Sequence, residues 1–308
     1  MQFLTNWTRQ GSNGEMSKPK ILIQFDSDSK ASVFDAIVAI DAGVDHVLQY
    51  AGIGVDDVRA LVHGAMYTRG PSDLKNTAIF IGGTNVTDGE AIAAVALESF
   101  FDPFRVSIML DSNGANSTAA ATVLCATRHL KLEGSSALVM AATGSVGQRV
   151  CQILANEKCN TYVASRSLER SKECIRILIS GGAREKYLRP IVSADAAELS
   201  QVLNSVQMVF GCGAAGAILL NESQLNQATN LKVAIDLNAV PPSGIEGIAI
   251  MDKGKLRGER CDYGALGVGG LKMKIHKASL AALFNSNNQF IDCQEMLAIG
   301  EQILKSAS

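Results

Sequence analysis

The stretch SALVMAATGSVGQRVCQILANEKCNTYVASRS, residues 136–167, decides the fold. Ser136 to Ala141 is an apolar run of strand type, and Ala142-Thr143-Gly144-Ser145-Val146-Gly147 follows it as a glycine-bearing turn. Residues 148–156 then carry Val150, Ile153 and Leu154 at helical spacing, and Thr161-Tyr162-Val163-Ala164 reads as a second strand. Strand, turn, helix and strand in this order predict a βαβ unit of Rossmann type. In such a unit, glycines let main-chain N–H groups at a helix N-terminus approach a pyrophosphate, because no Cβ blocks the way. Thr143, Gly144, Ser145, Val146 and Gly147 are therefore the expected phosphate contacts. Ala142 stands where the G-x-G-x-x-G pattern has its first glycine, which leaves the two glycines nearest the helix in place.

The end of the second strand bears on the cofactor. A site built for NAD places Asp or Glu about 20 residues beyond the glycines, to accept hydrogen bonds from the ribose 2′-OH. This chain has Ser165-Arg166-Ser167 instead, with Arg170 and Lys172 close behind. A carboxylate repels a 2′-phosphate, whereas a guanidinium pairs with it and two hydroxyls donate to it. NADP is the expected cofactor, held by Ser165, Arg166, Ser167 and Arg170, with NAD or dual use as the alternative. In the plainer reading Arg166 is a solvated loop residue. Beyond a strand near 206–210, the loop Gly211-Cys212-Gly213-Ala214-Ala215-Gly216 adds Cys212 and Gly213 to the expected cofactor contacts. A strand at 232–237 runs into Asn238-Ala239-Val240-Pro241-Pro242, where the proline pair forces a rigid turn that can hold a cis bond; Asn238 is expected on the wall of the cofactor cleft.

A chain of 308 residues is long enough for two domains with substantial cores. Hydrophobic residues make up 47% and charged residues 19%, an ordinary globular balance. A net charge of −2 argues against a nucleic-acid partner held by bulk electrostatics. No apolar run approaches the roughly 18 residues that span a bilayer, so no membrane partner is expected. The first 20 residues lack the apolar core of a signal peptide, which makes a cytoplasmic location the expectation. The 7 cysteines form no C-x-x-C pair and read as reduced, apolar fillers. The 4 histidines are scattered, and no metal site is expected.

Residues 1–18 are polar and without period, and are expected to be a flexible extension, with Met16 an alternative start. Strands at 21–25, 78–82 and 105–110 then alternate with helices near 32–42, 55–62 and 88–100, and residues 44–48 add a short strand. This alternation predicts a first α/β domain with a mostly parallel sheet, over residues 19–125. An Ala-rich helix over about 118–130 bridges to a Rossmann domain over residues 126–270. Helices near 271–284 and 292–305 are expected to pack back on the first domain, because little sheet remains for them to cover.

Three segments outside the nucleotide turn are candidates for chemistry. Asp26 and Asp28 follow the first strand at its carboxyl end, where open α/β sheets bind ligands. Asp26 is the candidate for the amino-amide edge of a pterin-like ring, and a helix cap is the alternative for Asp28. Asp111, Asn113 and Asn116 lie in a turn after a later strand and are expected to face the same crevice, although Asn116 or Ser117 would also serve as an N-cap. The run Tyr263-Gly264-Ala265-Leu266-Gly267-Val268-Gly269-Gly270 reads as a flexible loop, with Gly269 and Gly270 giving close backbone approach to a flat ligand. It feeds a helix whose first turn displays Lys272, with His276 at i+4. A lysine at a helix N-terminus opposes the dipole, and a ligand contact explains it better than helix stability does.

Taken together, Gln24-Phe25-Asp26-Ser27-Asp28, Tyr67-Thr68-Arg69-Gly70, Thr77-Ala78-Ile79-Phe80-Ile81-Gly82-Gly83, Asp111-Ser112-Asn113-Gly114, Asn238-Ala239-Val240-Pro241-Pro242 and the run from Gly264 to Lys272 closely resemble the bacterial methylene-tetrahydromethanopterin dehydrogenases. The resemblance runs from about Met16 to the C-terminus. It implies a two-domain α/β fold with an N-terminal pterin-binding domain, a Rossmann domain and a pterin cleft between them. It further implies hydride transfer from 5,10-methylene-tetrahydromethanopterin, and in some members methylene-tetrahydrofolate, to NAD(P) in formaldehyde oxidation. Lys272 is the active-site residue that the resemblance carries over, and a homo-oligomer, trimer or hexamer, is the implied assembly. Two other readings stay open from the residues alone: a shikimate-dehydrogenase-like NADP oxidoreductase, which the segment from Gly264 to Lys272 fits poorly, and a non-catalytic NADP(H) sensor.

Overall fold

The computed structural model describes residues 18–306, so the expected extension lies outside the described residues except for Lys18. The chain opens with β1 (Ile21–Phe25), α1 (Val33–Asp41), β2 (His46–Tyr50), α2 (Val55–Met66), β3 (Thr77–Ile81), α3 (Val86–Glu98) and β4 (Ser107–Leu110). β3 and β4 are buried throughout and apolar but for their first residues, Thr77 and Ser107, as strands covered on both faces must be. α1 starts where Ser32 Oγ accepts the Asp35 N–H, and α3 where the Asn85 carboxamide accepts the N–H groups of Thr87 and Asp88.

α4 (Ala115–Thr127) leads into the second half. There β5 (Ser136–Met140), α5 (Ser145–Asn156), β6 (Asn160–Ser165), α6 (Leu168–Ser180), β7 (Leu188–Val192), α7 (Ala196–Leu203), β8 (Met208–Gly211), α8 (Glu222–Gln227) and β9 (Val233–Asp236) follow. A hairpin, β10 (Lys253–Arg257) and β11 (Arg260–Tyr263), precedes α9 (Ala265–Ala282), β12 (Phe290–Ile291) and α10 (Cys293–Ser306).

The strands form two sheets. The first has the order β12-β4-β3-β1-β2 and is parallel in every pair. The second has the order β10-β11-β9-β8-β5-β6-β7, parallel except for the β10–β11 hairpin. Each order reverses direction once, between β1 and β3 in the first sheet and between β5 and β8 in the second. Ligands of open α/β sheets bind outside the carboxyl ends of the strands at such reversals.

α4 joins the halves. Its residues from Ala115 to Ala126 are buried except Thr118, and their small side chains let α5, α9 and α10 approach closely. One apolar core runs from Leu22, Ala78 and Phe80 through Ala119, Val123 and Leu124 to Val139 and Phe210. The far face of each sheet has its own cluster, around Phe25, Ile79 and Met66 in one and Leu138, Val209 and Leu199 in the other. A second tie is Arg149 of α5, which is buried and donates to Asn116 Oδ1 of α4, to Ser145 O at 3.0 Å and to Glu90 of α3 at 2.7 Å.

The glycine-dense run departs from expectation. It is helix, not loop: α9 begins at Ala265, with Gly264 as its N-cap residue in an extended conformation. Gly267 has no room for a Cβ, because the Asp252 carbonyl packs against it, whereas Gly269 and Gly270 meet nothing within 4 Å. Lys272 is therefore well past the first turn, and the dipole argument for it does not hold.

Candidate active site

The first cavity lies at the carboxyl edge of the second sheet, where its strand order reverses. It measures about 500 Å³ and is lined on one side by Thr143 and Gly144, on another by Ser165, Arg166 and Arg170, and on a third by Cys212, Gly213 and Leu219. The chain turns between β5 and α5 with Ala141 in a left-handed conformation (φ 53°), one residue before Ala142. The positive φ thus falls at Ala141, and the absent first glycine of the motif costs Ala142 no strain of that kind. Gly144 is the N-cap of α5 and makes no side-chain cap, so the N–H groups of that first turn stay available to an acceptor. Gly147 serves packing: a Cβ there would lie 2.8 Å from Ala141 O and from Ala142 Cα.

At the other end Arg166 and Arg170 border the cavity, and neither has a side-chain ion pair among the described residues. Ser167 caps α6 by accepting the Arg170 N–H at 3.4 Å. Ser193 and Ala194, which follow β7, complete this wall; the sequence reading missed them because β7 itself went unrecognised. Burial, with Asp236 nearby, pushes the Cys212 thiol up to about 12, so it lines the cavity as a neutral group. Asn238 is not among the lining residues. Its Nδ2 donates to Pro242 O at 2.6 Å and its Oδ1 accepts from Val240 N at 3.0 Å, bracing the loop around the cis Pro241–Pro242 bond. Ser145 and Val146 open α5, and neither they nor Ser167 border the cavity. A pyrophosphate and a 2′-phosphate suit this donor set: a glycine-capped helix start at one end, two unpaired guanidinium groups at the other.

The second cavity, about 220 Å³, lies at the reversal of the first sheet and is closed from above by α9. Asp26 and Asp28 border it after β1, Gly83 and Thr84 after β3, Asp111, Asn113 and Gly114 after β4, and Lys272 and His276 from α9. Asp26 is fully buried; its carboxylate accepts Asp28 N at 3.0 Å and Ser32 N at 2.9 Å. Asp28 does not cap α1. It reaches across to the turn after β3, accepting Thr84 N at 3.1 Å and Thr84 Oγ1 at 2.8 Å. Asp111 caps α4 from outside, its Oδ1 accepting Asn116 N and Ser117 N at 3.0 Å each, and its Oδ2 is 2.8 Å from His276 Nδ1. The Nε2 of His276 is buried without a partner among the described residues.

Lys272 Nζ sits over Gly114, whose φ of 59° places it in the left-handed region; a Cβ there would come within 2.5 Å of Nζ. Asn113, also left-handed (φ 53°), is exposed at the rim and donates its N–H to Gly83 O at 2.7 Å. Two expected contacts lie elsewhere. Asn116 turns away to hold Leu110 O and Arg149, because the carboxamide completes the tie between the halves. Gly269 and Gly270 are helical, and Gly270 borders a different cavity beside Arg128 and Lys253. Asp35, Ser32, Phe34 and Thr84 were missed: α1 was read as helix, and nothing in its sequence told which face meets the crevice.

Among the described residues no group of three or more His, Cys, Asp or Glu side chains is placed to hold a metal, and no helix is long and apolar enough to cross a membrane.

Comparison with known proteins agrees with this architecture. Residues 33–113 match the model of the family described as methylene-tetrahydromethanopterin dehydrogenase, N-terminal. Over 295 residues the chain is 38% identical to the bifunctional protein MdtA of Methylorubrum extorquens, covering 94% of this chain and all of that one (100%). It is 31% identical over 255 residues to the NAD(P)-dependent methylenetetrahydromethanopterin dehydrogenase of the same organism, covering 78% and 84% of the two chains. Shikimate 5-dehydrogenase from Listeria monocytogenes shares the fold at 12% identity, with a TM-score of 0.53 over 92% of this chain and 96% of that one. Two predominantly parallel sheets with a dinucleotide turn at the reversal of the second, in a chain so related, define an NAD(P)-dependent dehydrogenase. The chain belongs to the bacterial methylene-tetrahydromethanopterin dehydrogenase family.

Proposed function

We propose that the protein oxidises 5,10-methylene-tetrahydromethanopterin, and secondarily methylene-tetrahydrofolate, to the methenyl form with NADP as acceptor, in the cytoplasm. The observation that carries this reading is the small acid-lined cavity under α9, bounded by Asp111, His276 and Lys272 and built on the same core as the dinucleotide turn. NADP, when bound, takes a hydride at its nicotinamide. The cation left on the pterin is delocalised over the two nitrogens that flank the methylene carbon, so no strong acid or base is required of the protein.

The chain's residues then position and tune. Gly144 and the first turn of α5 receive the pyrophosphate, while Arg166 and Arg170 pair with the 2′-phosphate. The carboxylates of Asp26, Asp28 and Asp111 give the cavity a negative field that favours the developing cation. Each is already fixed by hydrogen bonds, so little reorganisation accompanies charge development. Lys272 cannot stabilise a cation; held over Gly114, it orients the pterin by donating to an acceptor on the ring.

A homo-oligomer is part of the proposal. Val33, Ile37 and Ile40 of α1 expose 69%, 58% and 51% of their surfaces, next to the open edge strand β2. Such a patch beside an unpaired edge is a surface that a second copy covers. Light scattering of the wild type and of Ile37→Lys tests it: an assembly that the lysine breaks up is expected, and a wild-type monomer refutes it.

The deciding experiment offers each methylene pterin with each dinucleotide and follows methenyl-pterin and reduced nicotinamide by absorbance. Turnover with the four values of kcat/KM ranked highest for the methanopterin with NADP is the expected result. Dinucleotide binding without turnover in any pairing would leave a sensor.

A further inference from the structure

Four aspartates border the cavity under α9: Asp26, Asp28, Asp35 and Asp111. Three are engaged by the fold itself. Asp26 takes the N–H groups of Asp28 and Ser32, Asp28 takes Thr84, and Asp111 takes the start of α4 together with His276. Asp35 is different. Its main-chain N–H donates to Ser32 Oγ at 3.2 Å, and that hydroxyl is the one hydrogen-bonding neighbour of its carboxyl group among the described residues. The carboxyl group reaches down over the turn after β3, where Oδ2 lies 3.5 Å from the position a Cβ on Gly82 would take.

The surroundings of Asp35 have the chemistry of a slot for a flat, polar ring. Gly83 and Gly114 border it at φ of 90° and 59°, with Ser27 Oγ and Lys272 Nζ filling the places that their Cβ atoms would take. Phe34, 55% exposed, offers an aromatic face at the rim. The charged and titratable groups around the slot are Asp26 and Asp28 after β1, Asp111 after β4, and Lys272 and His276 from α9. A carboxylate held in such a slot matches a ligand edge with two parallel N–H donors, as it matches the fork of a guanidinium.

Resting on the reading of this cavity as the pterin site, we propose that Asp35 determines specificity by receiving the ring N3–H and the 2-amino group of a 2-amino-4-oxo pteridine. The bond needs the ionised form, because a protonated carboxyl turns an O–H toward an N–H donor. Burial raises the pKa of Asp35 above the ordinary aspartate value, and the neighbouring Asp111 and Asp26 push the same way, while the Ser32 hydroxyl and His276 oppose them. Pterin capture therefore weakens as the pH falls through that raised value.

Three measurements test the assignment. In Asp35→Asn, kcat/KM for the methylene pterin is expected to fall about tenfold to a hundredfold through KM, with kcat and the NADP dissociation constant little changed. The acid limb of the pH profile of kcat/KM should disappear with it, which loss of packing alone would not cause. Binding of 6-hydroxymethylpterin, followed by its fluorescence, is expected in the wild type and at least about tenfold weaker in the variant. On the wild type alone, a 2-deamino analogue should bind weaker than 6-hydroxymethylpterin, a comparison that survives if the variant fails to fold. Equal affinity for the two compounds, no binding of the pterin probe, or an unchanged KM in Asp35→Asn overturns the proposal. If the probe binds through Asp35 and no methylene pterin turns over, the oxidation reading fails and this one stands; normal turnover in Asp35→Asn gives the reverse.

Discussion

Lys272 borders the second cavity with its Nζ over Gly114, and it has no ion pair to a carboxylate among the described residues. Repulsion from a helix N-terminus does not account for it, because α9 begins at Ala265 and Lys272 lies well inside the helix. Replacing the lysine with alanine should lower kcat/KM for the pterin by at least about tenfold and leave NADP affinity unchanged, since no atom of Lys272 borders the dinucleotide cavity. Unchanged turnover in Lys272→Ala removes the residue from the site. Asp26, Asp111 and Asn113 were also legible, because residues just past the ends of parallel strands share one edge. Asp35 was not, since a lone aspartate in an amphipathic helix carries no sign of which wall it will face. Asn116 was misread for a related reason: its partner, Arg149, comes from a helix beyond the next strand.

Among the elements, those with a strong local period were readable and those made by tertiary contact were not. β1, β3 and β5 stand within a residue of their expected places, and α5 ends at Asn156 as expected but starts three residues early, at Ser145, because apolar patterns mark an element's core better than its start. β12 is only two residues long and exists because Phe290 and Ile291 fall beside Ile108 and Met109. The glycines of α9 show the opposite error. Glycine disfavours helix by about 1 kcal/mol against alanine, and a run of them reads as loop until its packing is known. The two kinds of glycine there predict opposite outcomes. Gly270→Ala, in open space, should raise stability by about 0.5–1 kcal/mol, whereas Gly267→Ala should lower it, the Cβ having nowhere to go beside the Asp252 carbonyl. Thermal unfolding of the two variants checks the pair. Gly270→Ala with full activity would also confirm that this position does not meet the pterin.

For the molecule as a whole, acidity acts on stability through several raised carboxyls, of which Glu295 of α10 is one. Burial, and then the neighbouring Asp292, raise the Glu295 carboxyl from 4.5 to about 7. The folded chain thus holds this proton to higher pH than the unfolded chain does, and stability is lost as pH rises from about 4.5 to about 7, where it levels off. Because the group is only half-buried, solvent screening limits the contribution to about 1 kcal/mol. Urea unfolding at pH 5 and pH 8 should show a loss that is about 1 kcal/mol smaller in Glu295→Gln than in the wild type, because Asp35 and Asp236, also raised by burial, keep their share; an equal loss in both would place the contribution elsewhere.

The return of the chain through α9, β12 and α10 also orders events in time. The first sheet is written early in the sequence, yet the helix that roofs its cavity and the strand at its β4 edge come after every strand of the second sheet. The second sheet needs nothing beyond Tyr263 to complete its strands. During synthesis the dinucleotide half can therefore close while the other half still waits with its apolar face uncovered, an interval in which a chaperone has something to hold. Ribosome-bound chains halted before Phe290 should expose that face, and chains extended past α10 should hide it.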